Sequence, residues 1–90
     1  MIRVHLIISG YVQGVGFRYS VRKKANIFNI NGWVKNNIDG TVEIVAEGDD
    51  KNIQAFLEYC KKGPSLASIN NIKLDYEDPK QEFKDFEIRF

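Results

Sequence analysis

Period-two alternation at five places, helical spacing at two places between them, and strands of mixed polarity predict an α+β fold. The order β-α-β-β-α-β-β fits a ferredoxin-like sandwich, an antiparallel sheet with two helices on one face. Mixed strand faces matter because two helices can cover only one side, so the other is expected to meet water. Ninety residues make one domain, read here as residues 1–90.

The first strand puts Ile2, Val4, Leu6 and Ile8 on one face and Arg3, His5, Ile7 and Ser9 on the other. Phe17, Val21, Ala25 and Phe28 then recur at helical spacing, with Arg22, Lys23 and Lys24 on the wet side. Asn29, which tolerates a left-handed backbone, stands where that helix should end. Trp33–Asn37 and Thr41–Glu47 read as two strands joined through Ile38-Asp39-Gly40, since Asp-Gly is a strong hairpin signal. Asp49 or Asp50 can cap a second helix whose apolar face is Ile53, Phe56, Leu57 and Cys60, and Gly63-Pro64 stops it. Ile72, Leu74 and Tyr76 mark a fourth strand ended by Asp78-Pro79. Phe86, Ile88 and Phe90 mark a fifth.

Composition narrows the function classes. A net charge of +1 argues against a nucleic-acid or membrane surface driven by bulk electrostatics. Any positive potential must be local, which suits a small anion. One cysteine cannot form an internal disulfide, and no apolar run reaches signal-peptide or transmembrane length, so a cytoplasmic location is expected.

The densest signal is the segment Ile8 to Arg18. Gly10, Gly14 and Gly16 follow a strand, and Arg18 stands near the start of a helix. Glycines let backbone amides approach an anion closely, a helix N-terminus adds unpaired N–H groups, and a guanidinium matches phosphate oxygens. Together they describe an oxyanion cradle. On the pattern alone, an ordinary glycine-rich turn followed by a solvated arginine is the commoner case. The segment has neither the Gly-Lys-Ser/Thr of a nucleotide P-loop nor the spacing of a dinucleotide fingerprint.

Other chemistry is missing. Cys60 falls on the apolar face of the second helix, where packing explains it. His5 is the one histidine and reads as a surface residue of its strand, with a pairing to Glu43 as the alternative. Trp33 reads as a packing residue. There is no Cys/His metal cluster and no Ser-His-Asp set, so a hydrolase built on this chain uses water directly.

Two segments together resemble the acylphosphatase family. Ile8-Ser9-Gly10-Tyr11-Val12-Gln13-Gly14-Val15-Gly16-Phe17-Arg18 is similar to the family's first signature. Gly32-Trp33-Val34-Lys35-Asn36, followed by Gly40, Val42 and Gly48, is similar to its second. The element order and chain length also match. The resemblance implies hydrolysis of the carboxyl-phosphate anhydride of a small acyl phosphate, with inorganic phosphate as product. It implies that Arg18 grips the phosphoryl oxygens with loop amides of Gln13, Gly14, Val15, Gly16, Phe17 and Arg18 itself. Asn36 would orient the attacking water. No metal, cofactor or phosphoenzyme is implied.

Those roles make physical sense, because an acyl phosphate has a good leaving group and needs mainly positioning and charge stabilisation. Asn36 is neutral and does not repel a dianion as an aspartate would. Without the resemblance, a turn-adjacent Asn bonded to its own backbone is the favoured reading. The sequence departs from the family at Gly16, where relatives carry a bulky residue, and at Phe90, where many place a tyrosine. The alternative is a non-catalytic module that binds a phosphate metabolite on the same fold. RNA binding is disfavoured, since the central strands lack the stacking aromatics it needs. A monomer is expected, although the last strand could be an edge that pairs with a copy.

Overall fold

The computed structural model describes residues 1–90. Its elements are β1 (Ile2–Tyr11), α1 (Phe17–Ile27), β2 (Asn31–Asn36), β3 (Val42–Gly48), α2 (Asp50–Lys62), β4 (Ser68–Glu77) and β5 (Phe86–Arg89). They form one five-stranded sheet in the order β4-β1-β3-β2-β5 with both helices on one side. This is the ferredoxin-like α+β plan.

The core lies between the helices and the inner face of the sheet. Val4, Leu6 and Ile8 of β1 meet Val42, Ile44 and Ala46 of β3, and the layer is closed by Phe17, Val21 and Ala25 of α1 and Ile53, Phe56, Leu57 and Cys60 of α2. Phe56 also packs edge-on against Phe86, with ring centroids 6.0 Å apart. Each fully buried side chain of this size contributes about 1.5–3 kcal/mol. α1 ends as its sequence suggests: Asn29 takes φ 55°, and the amides of Asn29 and Ile30 reach back to Asn26 O and Ala25 O. That is the left-handed cap that closes many helices.

Four features differ from the sequence expectation. First, the sheet is antiparallel except at its last pair, where β5 runs parallel to β2. The chain leaves β4 at Glu77 and crosses the end of the sheet, past Glu47, before the Asp85 carbonyl accepts the Gly32 N–H at 2.9 Å. It therefore enters β5 from the end where β2 begins.

Second, the open face is not wet throughout. Arg3 and Glu47 are only 7% and 4% exposed. The crossing segment 78–85 covers them, and the Arg3 guanidinium reaches Glu47 at 3.1 Å, Glu77 at 2.9 Å and Glu82 at 2.9 Å. Alternation identifies a face but not what later folds over it.

Third, β4 starts at Ser68, earlier than its apolar alternation, and bulges against Ser9 and Gly10. It is one of the two edge strands, so Tyr76 is exposed although it lies opposite Val4 on the inner face. Fourth, two single residues of the open face find partners. His5 Nε2 lies 2.6 Å from Glu43 Oε2, which makes it paired rather than a plain surface residue. Trp33 is half-buried outside the core, between the Arg89 guanidinium at 4.8 Å and the Lys35 ammonium at 5.7 Å.

Candidate active site

β1 delivers the chain into the loop 12–16, and that loop delivers it into α1. Val12 and Val15 are buried and pin the loop to the core from below. Gly14 and Gly16 both take φ 76°, a left-handed backbone that strains any side chain, and a Cβ at either would point into open space. The loop thus curls over a clear opening without a side chain in the way.

Gly16 is also the residue that precedes α1. A Ser, Thr, Asp or Asn at such a position would satisfy amides of the first turn, whereas glycine has nothing to offer them. The first turn contains no acidic residue either. Ser20 is the first amide of the turn with a backbone acceptor, Gly16 O at 3.1 Å, and the amides of residues 13–19 have none. α2 makes the contrast: it begins at Asp49 and carries Asp50 in its first turn, so acid occupies its positive end. α1 keeps its positive end for something else.

Arg18 sits in that bare first turn. Its guanidinium lies over the Phe90 ring, 4.9 Å from the centroid, and none of the protein's ion pairs includes it. Phe17, its neighbour, is 2% exposed and anchors the turn in the core. One side chain of the dipeptide fixes the helix start while the other remains free to hold a ligand.

Asn36 arrives from the far side, at the end of β2, where it pairs with Val42. Its Oδ1 is buried and has no hydrogen-bond partner. The sequence left open a turn asparagine bonded to its own backbone. That role falls instead to Asp39, whose Oδ1 accepts from the Thr41 amide at 3.0 Å and from its hydroxyl, while Asn37 Nδ2 donates to Thr41 Oγ1 at 3.0 Å. A buried acceptor without a donor costs about 1–3 kcal/mol and is retained where a ligand or water supplies the donor.

Val12, Gly14, Gly16, Phe17, Arg18, Tyr19 and Asn36 line one cavity of about 230 Å³. Five of the residues singled out in the sequence therefore meet there: Gly14, Gly16, Phe17, Arg18 and Asn36. Gln13 and Val15 do not line it. Gln13 turns its carboxamide to the β2–β3 hairpin, and Val15 belongs to the core. Tyr19, half of whose surface is open, was not singled out. It follows Arg18 directly, which was the available signal. Two larger hollows, about 440 and 380 Å³, lie beside Trp33 and beside the start of α2, and neither contains Arg18 or Asn36.

Cys60 takes no part. It is fully buried in α2, and burial pushes its thiol far above the ordinary range, which keeps it an unreactive packing group.

The arrangement is a cradle of unpaired amides and one guanidinium, faced by a single buried amide oxygen. The family model described as Acylphosphatase matches residues 4–88. An acylphosphatase of Moorella thermoacetica is 43% identical over 82 residues, covering 91% of this chain and 88% of its own. One from Caldanaerobacter subterraneus is 45% identical over 85 residues, covering 94% of each chain. The crystal structure of acylphosphatase from Bacillus subtilis superimposes with a TM-score of 0.96 at 38% identity, over 100% of both chains.

Proposed function

The chain belongs to the acylphosphatase family, and from that premise we propose how its own residues hydrolyse an acyl phosphate to a carboxylate and inorganic phosphate. Arg18 and the free amides that line the cavity, those of Gly14, Gly16, Phe17 and Arg18, hold the three phosphoryl oxygens. Asn36 Oδ1 accepts a hydrogen bond from a water and aims its lone pair at phosphorus, opposite the acyl oxygen. The P–O bond to water forms as the P–O bond to the acyl group breaks. The carboxylate leaves with the electron pair, and the water's proton passes to a phosphoryl oxygen.

The carrying observation is the Asn36 oxygen, buried and unpartnered, in the same cavity as an arginine that has no carboxylate. Arg18 and the amides would stabilise charge on the transferring group, where preorganised donors contribute most. Asn36 supplies position only, since an amide is no base at neutral pH. No side chain in this scheme needs to change protonation state.

The test is hydrolysis of benzoyl phosphate, followed by ultraviolet absorbance, in EDTA. Arg18→Ala should lose about 10²–10³-fold or more in turnover, as for removal of a transition-state donor. Asn36→Ala should lower kcat while inorganic phosphate still inhibits with an unchanged constant. Near-normal turnover in folded Arg18→Ala ends the scheme. Absence of wild-type turnover above background points instead to a phosphate-binding module.

We also read residues 1–90 as one catalytic domain, monomeric and cytoplasmic. The edge strand β4 carries Lys73, Asp75 and Glu77, which discourage pairing with a copy, and β5 is only four residues long. A lone, buried cysteine suits a reducing compartment. No helix is long and apolar enough to cross a membrane. Sedimentation as a dimer would overturn the monomer.

A further inference from the structure

We infer that Gln13 is a positioning residue, a brace that sets Asn36 against the phosphate cradle; the inference rests on the water-orienting role proposed for Asn36. The Gln13 carboxamide leaves the loop and crosses to the β2–β3 hairpin. Nε2 donates to Asn37 O at 2.8 Å and to Thr41 O at 3.0 Å. Both partners are carbonyl oxygens, so the NH₂ end of the side chain is the end that points there.

The position of this contact is what gives it a consequence. Asn36 pairs with Val42, and Asn37 and Thr41 are the next residues outward, just beyond the two strands. The Asn37 amide already donates to Thr41 O at 2.8 Å, and the Gly40 amide to Asn37 O at 3.1 Å. Gln13 therefore ties together the two carbonyls immediately beyond the Asn36 pair. Its own backbone opens the loop that ends at Arg18. One side chain thus links the element holding phosphate to the element holding water, and Gln13 itself lines no part of the cavity.

In-line attack needs the water's oxygen placed to within a fraction of an ångström of its path, and a displacement of about 1 Å can cost 10²-fold. No hydrogen bond ties the Asn36 carboxamide to the rest of the protein, and its Oδ1 is free. Its placement relative to Arg18 depends on the β2 backbone, which Gln13 holds from the loop. Without the brace the phosphate site stays whole and the water site drifts.

The experiment is a double-mutant cycle on benzoyl phosphate hydrolysis, with kcat, KM and the inhibition constant of inorganic phosphate measured for wild type, Gln13→Ala, Asn36→Ala and the double variant. Gln13→Ala should lower kcat about tenfold or more and leave phosphate inhibition within about twofold. The same change made in Asn36→Ala should cost almost nothing further, since the group it positions is gone. A merely structural glutamine does not produce that non-additivity.

Multiplying losses in the double variant overturn the inference, as does a phosphate constant that weakens as much as kcat falls. Unchanged kcat in folded Gln13→Ala does the same. Full kcat in Asn36→Ala overturns the water-orienting role itself, and the brace with it, so the two failures are told apart by the Asn36 variant alone. Should Gln13→Ala not fold, Gln13→Met keeps the length and volume without the donors and takes its place.

Discussion

β1 runs between two polar regions that treat their hydrogen bonds in opposite ways. At its start, Arg3 is buried with Glu47, Glu77 and Glu82, and Glu47 also accepts the amides of Lys80 and Gln81 at 2.8 and 3.0 Å. At its end, the amides of residues 13–19, the Arg18 guanidinium and Asn36 Oδ1 have no such partners. The first region is satisfied within the protein and latches segment 78–85 across the sheet end, ahead of β5. In the proposed scheme the second is completed by a phosphoryl group and a water. Satisfied polar groups hold the fold, and unsatisfied ones are those the proposed scheme assigns to the substrate.

The sharpest way to break this comparison is a crossed pair of variants. Glu47→Ala should cost about 3 kcal/mol of stability, the low end for breaking a buried pair because Glu77 and Glu82 are half open to solvent. For a chain of this size that is a fall in Tm of about 10–20 °C. Its turnover per folded molecule should remain close to wild type. Arg18→Ala should do the reverse, losing turnover while Tm barely moves. A large stability loss in Arg18→Ala would mean that the cradle also supports the fold.

A smaller effect is expected from acid. Burial pushes the Glu47 carboxyl up, but the Lys80 amide, the Arg3 guanidinium and the Gln81 amide together outweigh it and hold it below its ordinary 4.5. A carboxyl lowered in the folded state stabilises above its unfolded value, and that contribution is lost as pH falls through the folded value. Urea midpoints should therefore fall more steeply below about pH 4.5 for wild type than for Glu47→Gln. Parallel curves would show that the latch adds no acid sensitivity.

The smallest effect sharpens the comparison from the other side. Asn36→Ala removes a buried acceptor that the fold leaves unpaired, so stability should rise by about 0.5–1 kcal/mol even as kcat falls. Thermal unfolding measures it. A loss of more than about 1 kcal/mol would mean that Asn36 has a structural duty that its free oxygen conceals.

How much of this was legible depended on distance along the chain. The cradle was readable because its parts are adjacent: three glycines, a helix start and an arginine within nine residues, Gly10 to Arg18. Both helices were readable from spacing, as was the hairpin from Asp39-Gly40. Asn36 was identified by resemblance, while its residue type alone favoured a local turn bond. That bond went to Asp39 because the strand continues through Asn36 and the turn begins one residue later.

The sequence by itself determined the α+β layering, the apolar face of each element and the glycine-rich turn that leads into α1, since all three follow from periodicity and backbone freedom over a few residues. Only the tertiary structure decided that Arg3 and Glu47 are buried, that His5 meets Glu43, that β5 runs parallel to β2, and that Gln13 reaches the hairpin rather than the ligand. Each of these depends on strand register or on a segment folding over a distant one. Alternation states which way a side chain points. What it meets there is settled by parts of the chain about 30 to 80 residues away for Arg3 and Glu47, and about 25 for Gln13.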